Sequence, residues 1–332
     1  MRELPAFDLV GLPLWVNALI ILAAVLLIAR SAHWIVESST RIAKRIGVSE
    51  LVMGLTVVAA GTSAPEFAVT LLAAFEGRGD ISIGNIVGSN IFNLGFILGG
   101  AAMVRAIPTT RALVWRDGSV LLLTTLLVLG LIGIDLRLDR IEGALLFALL
   151  FTYLGYLFAT RKVMPRAEEE LEKRRTSLWA PAGILRDLSL LLIGLALIIG
   201  SAHLLIHAAS AAATGLGLSE WVIGVTIVAA GTSVPEFATS MIGVLKKRYG
   251  LSAGTVIGSD IYNLLGVLGL AGMLHPMQVD AMARTSLIAL SAMVLIVFLF
   301  MWSGWRLSRK EGLVLFLIAL ARWIMDFAMR TP

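Results

Sequence analysis

Residues 61–67 read Gly-Thr-Ser-Ala-Pro-Glu-Phe and lie inside an apolar run that begins near residue 51. The heptad places an ionisable Glu, two hydroxyls and a helix-breaking Pro at bilayer depth, where a carboxylate is costly and points to function. Residues 231–237 repeat it as Gly-Thr-Ser-Val-Pro-Glu-Phe, and residues 51–70 and 221–240 agree at 13 of 20 positions without a gap. Such a matched pair in two half-sequences predicts the binding site of a transporter.

The heptad predicts a cluster of oxygen ligands. Pro65 lacks an N–H, so the carbonyl of Gly61, four residues back, loses its helical donor. Thr62 and Glu66 are four residues apart and share one helix face, with Ser63 adjacent. Carbonyl, hydroxyl and carboxylate oxygens are the ligands that hard cations such as Ca²⁺ prefer. The alternative is a proline kink whose Glu only bonds a neighbouring helix; the second copy, with Thr232, Ser233 and Glu236, favours the cation site.

The composition is that of an all-α polytopic membrane protein. Of 332 residues, 58% are hydrophobic and 15% charged, against about 25% charged in a typical soluble domain. The absence of cysteine excludes disulfides and thiolate metal sites. The net charge of +5 is spread over short loops, which indicates topology and no nucleic-acid partner. No P-loop, GxSxG or HExxH pattern occurs, so the sequence does not predict an enzyme.

Ten apolar runs predict ten transmembrane helices. They cover about residues 12–39, 51–75, 83–104, 112–134, 141–160, 185–213, 221–245, 254–274, 283–302 and 311–329. The matches at an offset of about 170 divide the chain into a first five-helix repeat, 11–161, a linker, 162–184, and a second five-helix repeat, 185–330. Because five is odd, the second repeat inserts upside down, which predicts an inverted-topology pair with the site between the halves.

Loop charges predict the orientation. With the N-terminus outside, 19 of the 27 Lys and Arg residues fall in cytoplasmic loops or the linker and seven fall outside. Positive residues accumulate on the cytoplasmic side. We therefore expect a multi-pass protein of the cell's inner (plasma) membrane, with both termini outside and the linker cytoplasmic.

A second pair of polar motifs follows each heptad. Ser89 and Asn93 are four residues apart, as are Ser259 and Asn263 in the second half. Each pair adds oxygens to one helix face. Interhelical hydrogen bonding is the alternative, and repetition at the depth of a Glu favours ligation. Glycines at small-xxx-small spacing, including Gly254 and Gly258, predict close helix packing.

Residues 61–66 and 84–90, each repeated at an offset of 170, resemble the alpha-1 and alpha-2 repeats of the sodium/calcium exchanger (calcium/cation antiporter) family. The likeness extends over the whole chain and is greatest to the compact prokaryotic type. It implies that Glu66 and Glu236 are the carboxylates shared by Ca²⁺ and Na⁺, and that Asn93 and Asn263 form a central pair. The remaining ligands it implies are the hydroxyls of Thr62, Ser63, Ser89, Thr232, Ser233 and Ser259 and the carbonyls of Ala59 and Ala229.

One departure affects the expected ions. The family often carries Asp where this chain has Asn263, while Asp260 stands three positions earlier, where the first half has Asn90. Counting Glu66 and Glu236 alone, the site has a charge of −2, and K⁺ co-transport is not expected.

The resulting hypothesis is a secondary antiporter that exchanges Na⁺ for Ca²⁺ by alternating access and is electrogenic. The alternatives are H⁺/Ca²⁺ antiport, a cation channel and a non-transporting scaffold. Ca²⁺ and Na⁺ would be substrates in a lipid bilayer, and we expect no cofactor and no obligatory protein partner.

Overall fold

The computed structural model describes residues 13–160, 181–215 and 229–328, and this part of the chain is almost entirely helical. The helices in chain order are α1 (Leu14–Ile46), α2 (Glu50–Thr62), α3 (Ala64–Phe75), α4 (Gly79–Val104), α5 (Ala112–Asp135), α6 (Arg140–Ala159), α7 (Pro181–Gly215), α8 (Ala229–Thr232), α9 (Val234–Leu245), α10 (Tyr249–Leu274), α11 (Ala281–Ser303) and α12 (Arg309–Ala328). The predicted span 221–245 lies partly outside the described residues, as does nearly all of the predicted linker.

The all-helical membrane fold predicted from composition is confirmed. In the described ranges, seven helices are long and apolar enough to cross a bilayer, namely α1, α4, α5, α6, α7, α10 and α11. The pair α2 and α3 forms an eighth candidate span that is bent by 50°. Three of the long helices and α2 contain π-helical stretches, at Gly54–Val58, Asn93–Gly99, Ala112–Gly118 and Tyr262–Val267, and such stretches are frequent at functional sites.

Helix α1 is longer than its apolar run. It continues seven residues past the predicted end at residue 39 and stops at Gly47, whose φ of 71° is left-handed. Its last turns are held by a buried acid on α7, because Asp187 accepts from Arg41 Nε at 2.7 Å and pairs with Arg45 at 2.9 Å. Ser49 then caps α2 by accepting from the Val52 N–H. Thus a polar extension of α1 projects beyond the apolar segment and packs on α7.

Glycines allow α2 and α10 to touch backbone to backbone. A Cβ on Gly54 would lie 2.6 Å from the Leu251 carbonyl oxygen, and one on Gly254 would lie 2.7 Å from that of Leu51. A Cβ on Gly258 would lie 2.6 Å from Leu55 Cα. The predicted packing role of Gly254 and Gly258 is confirmed, since only glycine permits these approaches.

Two short strand pairs join the half-sequences. Strand β1 (Ile107–Pro108) pairs antiparallel with β4 (Arg306–Leu307), and β2 (Arg137–Leu138) pairs antiparallel with β3 (Met277–Gln278). Each pair therefore connects a loop of the first half to a loop of the second. The two pairs lie at opposite ends of the helices, because α5 runs from β1 to β2.

Helices α1 and α7 pack along each other, and the polar end of α1 also contacts α9. Lys246, just after α9, forms an ion pair with Glu37, and its Nζ lies 3.2 Å from Nε2 of His33. Nearby, Arg248 Nη1 donates to Glu50 Oε1 at 2.9 Å. These contacts fasten one end of α1 and α2 to the region where α9 meets α10.

Candidate functional site

Each heptad forms a break between two helices. Helix α2 ends at Thr62, Ser63 leaves helical geometry at φ −77° and ψ 11°, and α3 begins at Ala64 with a proline in its first turn. The second half repeats this geometry at Ser233, with φ −89° and ψ 8° between α8 and α9. The break predicted from the proline is present in both halves. It brings the hydroxyl before each proline and the carboxylate after it to buried positions.

The two heptads meet and exchange hydrogen bonds. Ser63 Oγ donates to Glu236 Oε1 at 2.9 Å, and Ser233 Oγ donates to Glu66 Oε1 at the same distance. Ser259 Oγ on α10 also donates to Glu236 Oε1, at 3.2 Å. All five side chains are buried. Each carboxylate is therefore held by a hydroxyl from the opposite half, so neither heptad forms the site alone.

The predicted asparagine pair lies where α4 and α10 meet, together with two residues that the sequence reasoning did not include in the site. Asn93 Nδ2 donates to Asp260 Oδ1 at 2.9 Å, and Asn263 Nδ2 donates to Asn90 Oδ1 at 3.0 Å. Asn90 and Asp260 each follow a Gly-Ser pair, Gly88-Ser89 and Gly258-Ser259. The sequence signal for these two residues was their equivalent position in the two halves, directly after Ser89 and Ser259.

Asp260 is a buried acid next to the predicted asparagine pair. The expectation of −2 counted only Glu66 and Glu236, whereas Asp260 is also fully buried and hydrogen-bonded to Asn93. The heptads alone did not reveal this neighbour, because its position depends on how α4 and α10 pack.

The site contains buried oxygen atoms without donors. Five such atoms are Glu66 Oε2, Glu236 Oε2, Asp260 Oδ2, Asn93 Oδ1 and Asn263 Oδ1. An unpaired buried polar atom is destabilising, and buried carboxylates are ordinarily paired or coordinate metals. The donor set is all oxygen, which suits a hard cation such as Ca²⁺ or Na⁺ and offers no nitrogen or sulfur ligand. All five are therefore oxygen atoms of the kind that a hard cation coordinates.

The other predicted ligands lie on the same helices. Thr62 Oγ1 bonds to the Val58 and Ala59 carbonyl oxygens at 3.1 and 3.3 Å. The Ala59 carbonyl also accepts from the Ser63 N–H at 3.0 Å, so a cation there would compete with these donors. Ser89 and Thr232 are buried. Ala229 is the first residue of α8, at the position equivalent to Ala59.

A buried oxygen site between two helix breaks, in a multi-pass membrane fold, is that of a cation transporter. The chain matches the sodium/calcium exchanger protein family over residues 16–159 and 187–322, and it belongs to that family. It is thus a membrane exchanger that carries out cation/Ca²⁺ antiport, and the family is one of transporters.

Individual relatives agree in length as well as sequence. The chain is 31% identical to the sodium/calcium exchanger MaX1 of Methanosarcina acetivorans, over 94% of this chain and 99% of that protein. It is 31% identical to the inner membrane protein YrbG of Escherichia coli, over 88% and 90%. A solved structure of the sodium-calcium exchanger NCX_Mj, soaked with 100 mM Na⁺ and 10 mM Sr²⁺, superposes with a TM-score of 0.82 at 28% identity, over 96% of this chain and all of that one.

Proposed function

We propose that this chain exchanges Na⁺ for Ca²⁺ by alternating access and that Glu66 and Glu236 are the carboxylates both ions share. The observation that carries the proposal is the exchange of hydrogen bonds between Ser63 and Glu236 and between Ser233 and Glu66. Because each carboxylate is bound from the opposite half, a relative movement of the halves would change both ligand sets together. A cation held there would thus be coupled to the conformation of the protein.

Sodium is favoured over protons by the hydroxyl and carbonyl groups on either side of the glutamates. Proton coupling needs only groups that titrate. The flanking groups do not titrate and would have no part in it; they are the hydroxyls of Thr62, Ser89 and Thr232 and the carbonyls of Ala59 and Ala229. Their oxygens are suitable ligands for a small hard cation. We assign them to Na⁺ sites around the central carboxylates, with Ser63, Ser233, Ser259, Asn93 and Asn263 completing the set.

Uptake of ⁴⁵Ca²⁺ into proteoliposomes tests the coupling ion. Vesicles loaded with Na⁺ should take up Ca²⁺, whereas vesicles loaded with choline at the same clamped pH should not. The Glu66→Gln protein, reconstituted at the same density, measures leakage. Uptake that ignores Na⁺ and follows an imposed pH gradient would establish H⁺/Ca²⁺ exchange instead. Flux without any coupled gradient would favour a channel, and no flux at all would favour a scaffold.

The proposed exchange is electrogenic, because three Na⁺ leaving against one Ca²⁺ entering would move one net positive charge outward. Each elementary charge crossing a potential of 100 mV changes the free energy by about 2.3 kcal/mol. An inside-positive potential, set with valinomycin and high external K⁺, should therefore accelerate Ca²⁺ uptake into Na⁺-loaded vesicles. Uptake that is independent of the potential would contradict this charge balance.

We further propose ten spans in two inverted halves, bounded at 11–161 and 185–330, in the inner membrane with both termini outside. Contacts at each end of the helices support this arrangement. Loops assigned to the cytoplasm touch one another, as in the pairing of β1 with β4. Loops assigned to the outside do the same, since Asp80 Oδ1 accepts from the Asp280 N–H at 2.8 Å.

Cysteine labelling tests the orientation, and the chain has no native cysteine to interfere. A cysteine replacing Glu76, in the exposed turn between α3 and α4, should react with an impermeant maleimide added to intact cells. One replacing Glu170, in the expected cytoplasmic linker, should react only after the cells are permeabilised. The reverse pattern would invert the proposed topology.

A further inference from the structure

The residue after each Gly-Ser pair lies at the contact between α4 and α10, and the two halves differ there. The first half has Asn90 and the second has Asp260. Both side chains are fully buried. Each accepts a hydrogen bond from the asparagine ligand of the opposite half, because Asn93 donates to Asp260 and Asn263 donates to Asn90.

These contacts fix the orientation of both asparagine ligands. An ionised carboxylate only accepts hydrogen bonds, so Asn93 must turn its amide nitrogen toward Asp260, which leaves its Oδ1 free. Asn90 uses its own Nδ2 to bind the Asp260 main-chain oxygen at 3.2 Å. Its Oδ1 is therefore the atom that faces Asn263, which must likewise donate through Nδ2. As a result, Oδ1 of both Asn93 and Asn263 is buried and without a donor.

Asp260 also adds an acceptor of its own. Its Oδ1 binds Asn93, whereas its Oδ2 is buried and has no hydrogen-bond donor. The unpaired oxygens of Glu66 and Glu236 are likewise buried without a donor, and Ser259, the residue before Asp260, donates to Glu236 Oε1 at 3.2 Å. A packing role alone would not leave a buried carboxylate oxygen unpaired, since that is costly.

We propose that Asp260 is a third acidic group of the cation site and that Asp260 and Asn90 are positioning residues that turn the carbonyl oxygens of Asn93 and Asn263 toward the ion. The proposal rests on the proposed Na⁺/Ca²⁺ exchange and identifies what makes the site prefer a divalent ion. Coulomb attraction scales with the charge of the cation. A third acid therefore favours Ca²⁺ over any single Na⁺ that competes for the same position.

Binding of ⁴⁵Ca²⁺ to the purified full-length protein, with Na⁺ as competitor, tests this inference. For Asp260→Asn we expect the Kd for Ca²⁺ to rise at least about tenfold and the inhibition constant for Na⁺ to rise only about threefold. The effect on Na⁺ is smaller because an ion with half the charge loses half as much binding free energy when the carboxylate is neutralised. Asp260→Ala also removes the acceptor for Asn93 and should bind Ca²⁺ more weakly than Asp260→Asn. A purely structural role would not change the ratio of the two constants.

Moving the charge provides an independent test if Asp260→Asn does not fold. The double variant Asn90→Asp with Asp260→Asn transfers the acid to the equivalent position of the other half and keeps an acceptor opposite Asn93 and Asn263. It gives up only the hydrogen bond from Asn90 Nδ2 to the main-chain oxygen of residue 260. We expect its Kd for Ca²⁺ to return to within about threefold of wild type, as the total charge is unchanged. Failure of a folded double variant to bind Ca²⁺ would contradict the assignment.

A matched control is Asp117→Asn on α5. Asp117 is also buried, but it pairs with Arg116 and accepts from Tyr153, so its replacement should lower stability and leave the Kd for Ca²⁺ unchanged. A wild-type protein that binds neither Ca²⁺ nor Na⁺ would refute the proposed function itself. A wild-type protein that binds both, together with an Asp260→Asn variant of equal affinity and selectivity, would refute only the role of Asp260.

Discussion

Replacing Gly258 by Ala should impair both folding and transport without removing any ligand atom. The added Cβ would lie 2.6 Å from Leu55 Cα, 2.9 Å from the Leu55 carbonyl oxygen and 3.0 Å from Ala59 Cβ. Carbon atoms in favourable contact are about 3.5–4.0 Å apart, so α10 must move away from α2 by about 1 Å. Most of the opposing atoms belong to the backbone, so a side-chain rotation cannot relieve the clash.

The size of both effects follows from this displacement. Overpacking of this kind costs about 1–3 kcal/mol, and each kcal/mol lowers the Tm of a chain of 332 residues by about 1.5 °C. The next residue is Ser259, whose Oγ already lies 3.2 Å from Glu236 Oε1. A shift of about 1 Å would break that contact and misplace the ligand, and misplacements of this size reduce rates by up to about a hundredfold.

Thermal unfolding followed by tryptophan fluorescence and initial rates of ⁴⁵Ca²⁺ uptake measure the two effects. Gly130→Ala on α5 is the matched control, because Gly130 is exposed and the added Cβ would meet no described atom within 4 Å apart from its chain neighbours and its own helix backbone. It should keep the wild-type rate and retain or slightly increase stability, since Ala favours helix over Gly by about 1 kcal/mol. A Gly258→Ala protein with the wild-type Tm and rate would refute the claim that α2 and α10 are in backbone contact.

Three further predictions follow from named contacts. Glu66→Gln and Glu236→Gln should each abolish Ca²⁺ uptake while the purified protein remains monodisperse, because the site loses a full ligand charge; near-wild-type uptake by either would remove that residue from the site. Ser63→Ala and Ser233→Ala should each weaken apparent Ca²⁺ affinity about 10–100-fold, because each removes a group that orients one of the carboxylates. Unchanged affinity in both variants would contradict that role. Asp187→Asn should destabilise the protein by about 3 kcal/mol, as measured by chemical unfolding, because it leaves Arg45 without its carboxylate partner and Arg41 with Glu37 alone. Altered ion selectivity in this variant would show that Asp187 does more than hold α1 to α7.

The sequence contained the local features of the site. The proline and its neighbours in each heptad were enough to predict the breaks at Ser63 and Ser233, because a missing N–H acts within one helical turn. Four-residue spacing likewise placed Ser259 and Asn263 on one face of α10. These inferences depend only on neighbours along the chain, and the backbone geometry agrees with them.

The contacts between the halves could not be inferred in the same way. Periodicity grouped Ser63 with Glu66 on its own helix, whereas its hydroxyl binds Glu236 of the other half. The partner of Asn93 is Asp260, 167 residues away. Hydropathy also predicted that α1 ends near residue 39, because hydropathy does not detect the ion pair between Arg45 and a buried acid on α7. Each of these depends on the mutual placement of helices, which one sequence does not encode locally.

The strand pairs β1–β4 and β2–β3 restrict the movements available to the exchanger. They tie the halves together at both ends of the bundle, so the relative movement of the halves must occur in the helices between the two pairs. Among the described residues, neither α1 nor α7 is joined to the rest by a strand, and α1 is held instead by side-chain contacts such as the ion pair of Glu37 with Lys246. A disulfide between cysteines at the paired residues Ile107 and Leu307 should therefore leave exchange intact, whereas one between positions 37 and 246 should arrest it in a single conformation.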